Sequence, residues 1–209
     1  MKILIADDHP LTRCGVTHVL RAEFANASFG EAENGRETLN RISKDRWDLL
    51  LLDIDMPGRG GIDLIKEIRA IRPKLPILVL TMFSEDDYAV RAFKNGASGY
   101  LSKESVVEKL PEAVRKVLSG GRYVTPTLAE QMAQDLGAIG DKAPHKTLSD
   151  RELEVLRQLA NGKSVTEIAK RLSLSVKTIS TYRSRILLKM NMKSTPELMR
   201  YTIRQGIFD

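Results

Sequence analysis

The sequence has 209 residues, enough for two modest domains, and its hydrophobic content of 42% is ordinary for a soluble globular protein. No apolar run approaches the roughly 20 residues that a membrane-spanning helix needs, which argues against a membrane protein. The net charge of +6 is unevenly distributed: residues 1–118 hold 18 basic and 18 acidic side chains, whereas residues 119–209 hold 15 and 9. This asymmetry indicates nucleic acid as a partner of the C-terminal part only.

Several features of the sequence favour a cytoplasmic location. The N-terminus turns acidic at Asp7, too early for a secretory signal. Cys14 is the single cysteine, so an internal disulfide is excluded.

The three histidines, His9, His18 and His145, lack the spacing of zinc ligands, so the sequence does not predict a zinc site.

Short apolar runs alternate with helical patterns throughout residues 1–118. The runs predict five strands, at 3–6, 27–32, 49–52, 77–80 and 97–101. The patterns between and after them predict five helices, at 11–23, 35–45, 61–71, 85–94 and 105–118. Nearly continuous apolar strands separated by helices indicate a parallel sheet that is covered on both faces. With right-handed crossovers, the prediction is a doubly wound α/β domain with a five-stranded parallel sheet.

The composition changes after residue 118, where Ser119-Gly120-Gly121 is expected to end the last of these helices. Gly, Pro, Thr and Ala are frequent in the segment that follows. We therefore predict a linker over 119–147, with one short helix near 126–136.

No strand pattern occurs after residue 147, and helix-capping signals recur instead. Four helix starts are predicted: capping boxes at Ser149–Glu152 and Ser164–Glu167, an N-cap at Ser175, and an N-cap and first helical residue at Thr195-Pro196. Four helices on short connections predict a small all-α domain over 148–209.

Polar side chains follow the ends of four predicted strands. Asp7 and Asp8 close the first strand, Asp53 the third and Thr81 the fourth, and Lys103 follows the fifth. In an open parallel sheet the ligand site lies at these carboxyl ends. Three carboxylates would repel each other unless a cation such as Mg²⁺ joined them. With a lysine and a hydroxyl beside them, they predict an aspartate that accepts a phosphoryl group.

Four motifs resemble the receiver domains of two-component response regulators over residues 1–118: Asp7-Asp8, Asp53 with Met56-Pro57-Gly58, Thr81, and Tyr100-Leu101-Ser102-Lys103. The resemblance implies a flavodoxin-like fold and phosphorylation of Asp53 by a histidine kinase or a small phosphodonor. It also implies that Thr81 and Tyr100 form a switch pair, in which Thr81 moves toward the phosphate and the Tyr100 ring turns inward.

The same resemblance implies a set of ligands. Asp8, Asp53 and the backbone carbonyl of Asp55 would bind Mg²⁺, with Asp7 contributing through a water molecule. Lys103 would pair with the phosphate. Engagement of the phosphate would reshape the face formed by the fourth helix, fifth strand and fifth helix, and so promote dimerisation, release the DNA-binding domain, or both.

The third helix of the C-terminal domain has the pattern of a DNA-reading helix. No acidic residue occurs between Glu167 and Glu197, whereas seven basic residues do. Its predicted buried face comprises Val176, Ile179, Ile186, Leu187 and Met190, and its predicted exposed face Lys177, Ser180, Thr181, Ser184 and Leu188. Short polar side chains flanked by basic ones suit the major groove, with the helix near 165–172 crossing the backbone. The predicted contacts to double-stranded DNA are Lys177, Thr178, Ser180, Thr181, Arg183, Ser184, Arg185, Lys189 and Lys193.

Four segments resemble the LuxR-type helix-turn-helix of NarL/FixJ response regulators over about 147–207: 148–156, 162–164, 167–169 and 175–179. The family often carries Lys and His where this chain has Ser180 and Tyr182. Together the two resemblances imply a transcription factor, not an enzyme, that forms a homodimer when phosphorylated.

Two alternatives remain open. Asp53-Ile54-Asp55 resembles the two-aspartate motif of haloacid-dehalogenase-type phosphatases, in which the second aspartate is a general acid, although Met56-Pro57-Gly58 and the Asp7-Asp8 pair do not fit that motif. The other alternative is a constitutive DNA-binding protein whose receiver domain serves only to dimerise it.

Overall fold

The computed structural model describes residues 1–58, 61–82, 85–130 and 143–208. The chain divides into two compact units, Met1–Leu136 and Gly137–Asp209. The point of division lies outside the described residues, so the domain boundaries at 118 and 147 stay predictions.

The first unit is built on a five-stranded parallel sheet with the strand order β2-β1-β3-β4-β5. Its strands are β1 (Lys2–Ala6), β2 (Ser28–Ala32), β3 (Leu49–Leu52), β4 (Ile77–Thr81) and β5 (Gly99–Ser102). Its helices are α1 (Pro10–Glu23), α2 (Gly35–Lys44), α3 (Gly61–Ile71), α4 (Glu85–Lys94) and α5 (Val106–Leu118). Helix α1 packs beside α5, and α3 packs beside both α2 and α4. The predicted α/β fold is confirmed.

Burial on both faces explains why the central strands were the clearest in the sequence. All four leucines of β3 are buried, because neighbouring strands flank it and helices cover the sheet. Strand β2 lies at the edge, and Ala32 is its one fully buried residue. The Trp47 ring packs directly against Gly30 of that strand, where a Cβ atom would overlap it. The weak apolar pattern of 27–32 therefore follows from its edge position.

The chain after α5 continues to pack on the sheet. Gly120 has φ +86°, which suits glycine and turns the chain back toward β5. Tyr123 is buried beside Gly99, and its backbone N–H donates to the Ser98 carbonyl at 3.0 Å. The first residues of the predicted linker thus belong to the first unit. Residues 126–130 are helical, and the rest of the helix predicted near 126–136 lies outside the described residues.

The second unit contains four α-helices in its described part, as predicted. They are α6 (Asp150–Ala160), α7 (Val165–Leu172), α8 (Val176–Lys189) and α9 (Thr195–Gln205), preceded by a 3₁₀ turn at Pro144–Thr147. Both predicted capping boxes form, at Ser149 with Glu152 and at Ser164 with Glu167. The Ser175 side chain accepts the Thr178 N–H at 3.0 Å and so caps α8.

Two local predictions in this unit were wrong. The N-cap of α9 is Ser194 rather than Thr195, which is instead the first helical residue. Ser194 still has extended backbone angles, φ −152° and ψ 157°, whereas Thr195 is already helical and its hydroxyl accepts a hydrogen bond from Arg183 Nε at 2.8 Å. Val176 was expected in the buried face of α8 but is 48% exposed, because the first turn of that helix, like Ser175 before it, faces away from the core.

We expect Tyr123→Ala to lower the free energy of unfolding of the first unit by about 3 kcal/mol, because it leaves a cavity beside β5. Unfolding in urea, followed by the fluorescence of Trp47, the single tryptophan, measures the change. The exposed neighbour Arg122 supplies the control, and Arg122→Ala should change the stability by less than about 0.5 kcal/mol. An unaltered urea midpoint in Tyr123→Ala would show that this segment contributes nothing to the core.

Candidate functional site

The carboxyl ends of β1, β3 and β5 bring one lysine into contact with two buried aspartates. Lys103 Nζ lies 2.6 Å from Asp53 Oδ2 and 2.7 Å from Asp7 Oδ2. Asp53 and Asp7 are only 2% and 3% exposed. The Asp55 backbone N–H donates to Asp53 Oδ1 at 2.8 Å, so both oxygens of Asp53 have partners.

The remaining acidic side chain of the pocket belongs to Asp8. Its Oδ1 atom is buried and accepts no hydrogen bond among the described residues, although His9 Nδ1 lies 2.8 Å away. Asp7, Asp8, His9 and Asp53 each offer a ligand atom, and these atoms all lie within 4.8 Å of one another. A carboxylate oxygen without a hydrogen-bond donor, next to two further carboxylates, fits a site for a hard cation. The acidic pocket is therefore consistent with a metal site.

His9 was not among the candidates from the sequence. Its backbone N–H donates to Asp7 Oδ1 at 2.8 Å, and its ring Nδ1 lies 3.3 Å from the same oxygen. The spacing of the histidines did not identify His9 as a ligand, because the residues that it meets in the pocket are aspartates. Its position directly after Asp7-Asp8, at the start of α1, was the signal that could have identified it.

Burial and charge act in opposite directions on the titration of this pocket. Burial is the largest influence on Asp53 and raises its pKa to about 6, although Lys103 and the Asp55 N–H oppose the rise. Burial would also lower the pKa of Lys103, but Asp53 and Asp7 together outweigh it and raise that pKa above its usual value. Lys103 contacts two of the three carboxylates of the pocket and cannot balance the charge of all three, which is consistent with a cation site.

The two predicted switch residues lie on neighbouring strands near this pocket. Thr81 ends β4 and pairs in register with Ser102, the residue before Lys103. Tyr100 lies two residues earlier on β5, opposite Val79. Both Thr81 and Tyr100 are fully buried.

In the second unit, the exposed face predicted for α8 is confirmed. Lys177, Ser180, Thr181, Ser184 and Leu188 are all exposed. A shallow depression of about 330 Å³ lies on this side of the helix and is lined by Ser175, Lys177, Thr178, Thr181, Tyr182 and Arg185. Polar and basic side chains thus meet on one surface of α8.

Two of the basic side chains predicted to contact DNA reach partners on other helices of the unit, whereas the hydroxyls of Thr178, Thr181 and Ser184 bond to residues three or four positions earlier in the chain. Arg183 donates to Thr195, and Lys189 Nζ lies 2.7 Å from Glu152 Oε2. Glu152 is buried, which on its own would raise its pKa, but Lys189 and the Ser149 cap lower the pKa below its usual value. Arg185 and Lys193 are exposed.

Among the described residues, no helix is both long enough and apolar enough to cross a membrane.

Both halves of the chain match known protein families. Residues 3–115 match the response regulator receiver domain, and residues 146–202 match the bacterial regulatory proteins of the luxR family. Response regulator GacA of Pseudomonas aeruginosa is 33% identical over 210 residues, covering 100% of this chain and 98% of GacA. Oxygen regulatory protein NreC of Staphylococcus carnosus is 34% identical over 218 residues, covering 100% of both chains.

A solved structure extends the likeness to three dimensions. RcsB from Salmonella enterica serovar Typhimurium, bound to promoter rprA in the presence of the phosphomimetic BeF₃⁻, has 33% sequence identity and a TM-score of 0.69. The match covers 96% of this chain and 98% of that one. The chain is therefore a two-component transcription factor and not an enzyme. It belongs to the response regulators that join a receiver domain to a LuxR-type DNA-binding domain, in the manner of NarL and FixJ.

The raised pKa of Asp53 predicts how the stability of the protein changes with pH. Because folding raises this pKa from about 4 to about 6, ionisation of Asp53 opposes folding. The contribution of the protonated form to stability is fully present below about pH 4 and is lost as the pH rises through about 6. Asp53→Asn should therefore be more stable than the wild type at pH 8 by about 1–3 kcal/mol, since one pKa unit corresponds to about 1.4 kcal/mol.

Urea unfolding in metal-free buffer between pH 4 and 8, followed by Trp47 fluorescence, measures this difference. It should shrink as the pH falls toward 4. Glu112→Gln removes an exposed carboxylate of α5 and should leave the pH dependence unaltered. A stability gain in Asp53→Asn that is the same at pH 4 and pH 8 would contradict the assignment.

Proposed function

We propose that Asp53 is the phosphoacceptor of this response regulator, phosphorylated by a histidine kinase or a small phosphodonor in the cytoplasm. One carboxylate oxygen of Asp53 attacks the phosphorus atom of the donor, and the bond from phosphorus to the donor's leaving group breaks. Lys103 then pairs with the phosphoryl oxygens. Asp7 contacts the same ammonium group and so keeps Lys103 at the site when Asp53 exchanges its contact for the phosphoryl group.

A magnesium ion fits the remaining donors of the pocket. We propose that Asp8, Asp53 and the backbone carbonyl of Asp55 hold it, with Asp7 contributing through a water molecule. When bound, Mg²⁺ neutralises charge on the transferring phosphoryl group. The observation that supports this best is the convergence of ligand atoms from Asp7, Asp8, His9 and Asp53 within 4.8 Å of one another, where two of the carboxylates share a single lysine.

Phosphorylation is proposed to act through Thr81 and Tyr100. The Thr81 hydroxyl turns toward the phosphoryl group, and the Tyr100 ring, which is fully buried on the neighbouring strand opposite Val79, repacks into the space that Thr81 leaves. The surface of α4, β5 and α5 changes in consequence and favours a homodimer. A two-fold pair places two copies of α8 about 34 Å apart, one turn of DNA.

We propose that α8 is the recognition helix and reads double-stranded DNA in the major groove. The exposed residues supporting this are Lys177, Ser180, Thr181, Ser184, Arg185 and Lys193. Thr178 is proposed to contact DNA from the first turn. Arg183 and Lys189, which already have partners within the unit, are proposed to contact phosphates with smaller effects. Support comes from the RcsB structures, which contain that protein with DNA and as dimers on two parallel DNAs.

The phosphoacceptor is tested by the mass of the intact protein after incubation with acetyl phosphate and Mg²⁺. The wild type should gain one phosphoryl group, and Asp53→Asn should gain none. Asp55→Asn is the matched control and should still be phosphorylated, because the Asp55 contact to Asp53 uses the backbone. DNA binding measured in parallel should tighten on phosphorylation in the wild type and not in Asp53→Asn.

Membership of the response regulator family has already removed the phosphatase alternative, so the same experiment tests the other alternative and the phosphoacceptor itself. An equal DNA affinity of wild type and Asp53→Asn in the presence of acetyl phosphate would favour the constitutive DNA-binding protein. No mass gain in the wild type would remove Asp53 as phosphoacceptor.

For the DNA interface, Lys177→Gln and Lys189→Gln should have contrasting effects. Lys177→Gln should weaken binding to all DNA sequences and lower the slope of log affinity against log salt by about 1, because it removes one phosphate contact. Lys189→Gln should mainly lower the stability of the second unit, by about 1–3 kcal/mol, because it leaves buried Glu152 without its cation. Fluorescence anisotropy with labelled DNA measures the first effect.

Near-UV circular dichroism during thermal unfolding reports on both units, and its comparison with Trp47 fluorescence, which reports on the first unit, measures the second effect. Lys163→Gln removes an exposed lysine outside α8 and is the control for both measurements. A loss of stability in Lys177→Gln as large as that in Lys189→Gln would count against the separation of the two roles.

A further inference from the structure

We propose that Arg13 is a positioning residue for the acidic pocket, because it holds the peptide that joins Asp7 to Asp8 and so sets the affinity of the pocket for a divalent cation; this proposal rests on the function proposed above. Arg13 lies in the first turn of α1 and is 6% exposed. One terminal nitrogen of its guanidinium donates to the Asp7 backbone carbonyl at 2.8 Å. That carbonyl belongs to the peptide between the two aspartates.

The other donors of Arg13 tie the same group to the edge of the sheet. Nε donates to Glu31 Oε2 at 2.6 Å, and the second terminal nitrogen donates to Glu33 Oε1 at 3.0 Å. Glu31 is in β2 and Glu33 directly follows it. The planar guanidinium therefore links α1, β2 and the end of β1 in one arrangement, which the single ammonium of a lysine does not reproduce.

The Asp7 residue is thereby fixed at both ends of its backbone. Its N–H donates to the Ala32 carbonyl at 3.0 Å, and its carbonyl accepts from Arg13. From this point the Asp7 side chain reaches Lys103, whereas the Asp8 side chain lies beside His9. A rotation of the Asp7–Asp8 peptide would move both carboxylates, so the hydrogen bonds at the two ends of the Asp7 backbone determine how their oxygens converge.

The positive charge of Arg13 opposes cation binding, whereas its hydrogen bonds would favour it. A geometric role and an electrostatic role therefore predict changes of opposite sign in the Mg²⁺ affinity. Asp7 and Arg13 interact electrostatically, and the hydrogen bond that Arg13 donates to Glu31 is the largest influence that raises the pKa of Arg13. Removing a positive charge near an acidic pocket would by itself strengthen the binding of Mg²⁺. Removing a residue that positions the carboxylates would weaken it, typically by about tenfold for groups that orient metal ligands.

Isothermal titration of the full-length protein with MgCl₂ distinguishes the two effects by their sign. Arg13→Met should weaken Mg²⁺ binding by about tenfold, and Arg13→Lys should give an affinity between Arg13→Met and the wild type. Arg21→Met removes the same charge from the exposed surface of the same helix and should bind Mg²⁺ as the wild type does or slightly more tightly.

Trp47 fluorescence establishes that each variant is folded at the temperature of the titration. An affinity of Arg13→Met equal to or higher than that of the wild type would overturn the positioning role. Where Arg13→Met does not fold, wild-type affinity in Arg13→Lys would overturn it instead. Failure of the wild type to bind Mg²⁺ at all would refute the metal site itself, which is a separate outcome from any difference between the variants.

Discussion

The contact of one lysine with two buried aspartates is the interaction on which the chemistry of this protein depends. Lys103 stabilises Asp53 and Asp7, yet the three carboxylates of the pocket outnumber it, and the pKa of Asp53 stays raised. A buried carboxylate that is only partly compensated is poised to accept further positive charge. The proposed divalent cation would supply that charge and, by binding the folded protein, would also stabilise the first unit. The burial of partly compensated carboxylates thus both opposes folding and provides the proposed capacity of the pocket to bind a cation.

The two units distribute acidic residues in different ways. In the first, aspartates gather at the ends of strands and are buried, so their charge remains locally in excess. In the second, Glu152 and Glu167 cap helices, and Glu152 also pairs with Lys189. Acidic charge in the second unit is therefore neutralised close to the backbone, and the exposed surface of α8 stays basic. This division permits a surface for polyanions and a pocket for cations in one chain.

Features fixed by local sequence or by the topology of a parallel sheet were predictable, and features fixed by individual distant contacts were not. The four leucines of β3 and the capping boxes at Ser149 and Ser164 depend on neighbouring residues, and they were confirmed. The convergence of Asp7, Asp53 and Lys103 also followed, because parallel strands end at one edge of the sheet.

Tyr123, Arg13 and Glu152 illustrate what could not be predicted. The position of Tyr123 depends on a return of the chain to β5, and the three partners of Arg13 come from β2 and from the residues directly after β1 and β2. Glu152 reads as a capping residue in the sequence, but the 37 residues that separate it from Lys189 conceal their ion pair. The sequence allows many possible partners for each of these side chains, and only the packing of the folded chain determines which partner each one meets. Around a functional pocket, packed residues such as Arg13 orient the residues of the motif. The motif therefore defines which ligands the pocket can bind, and the packing around it is proposed to set the affinity for them.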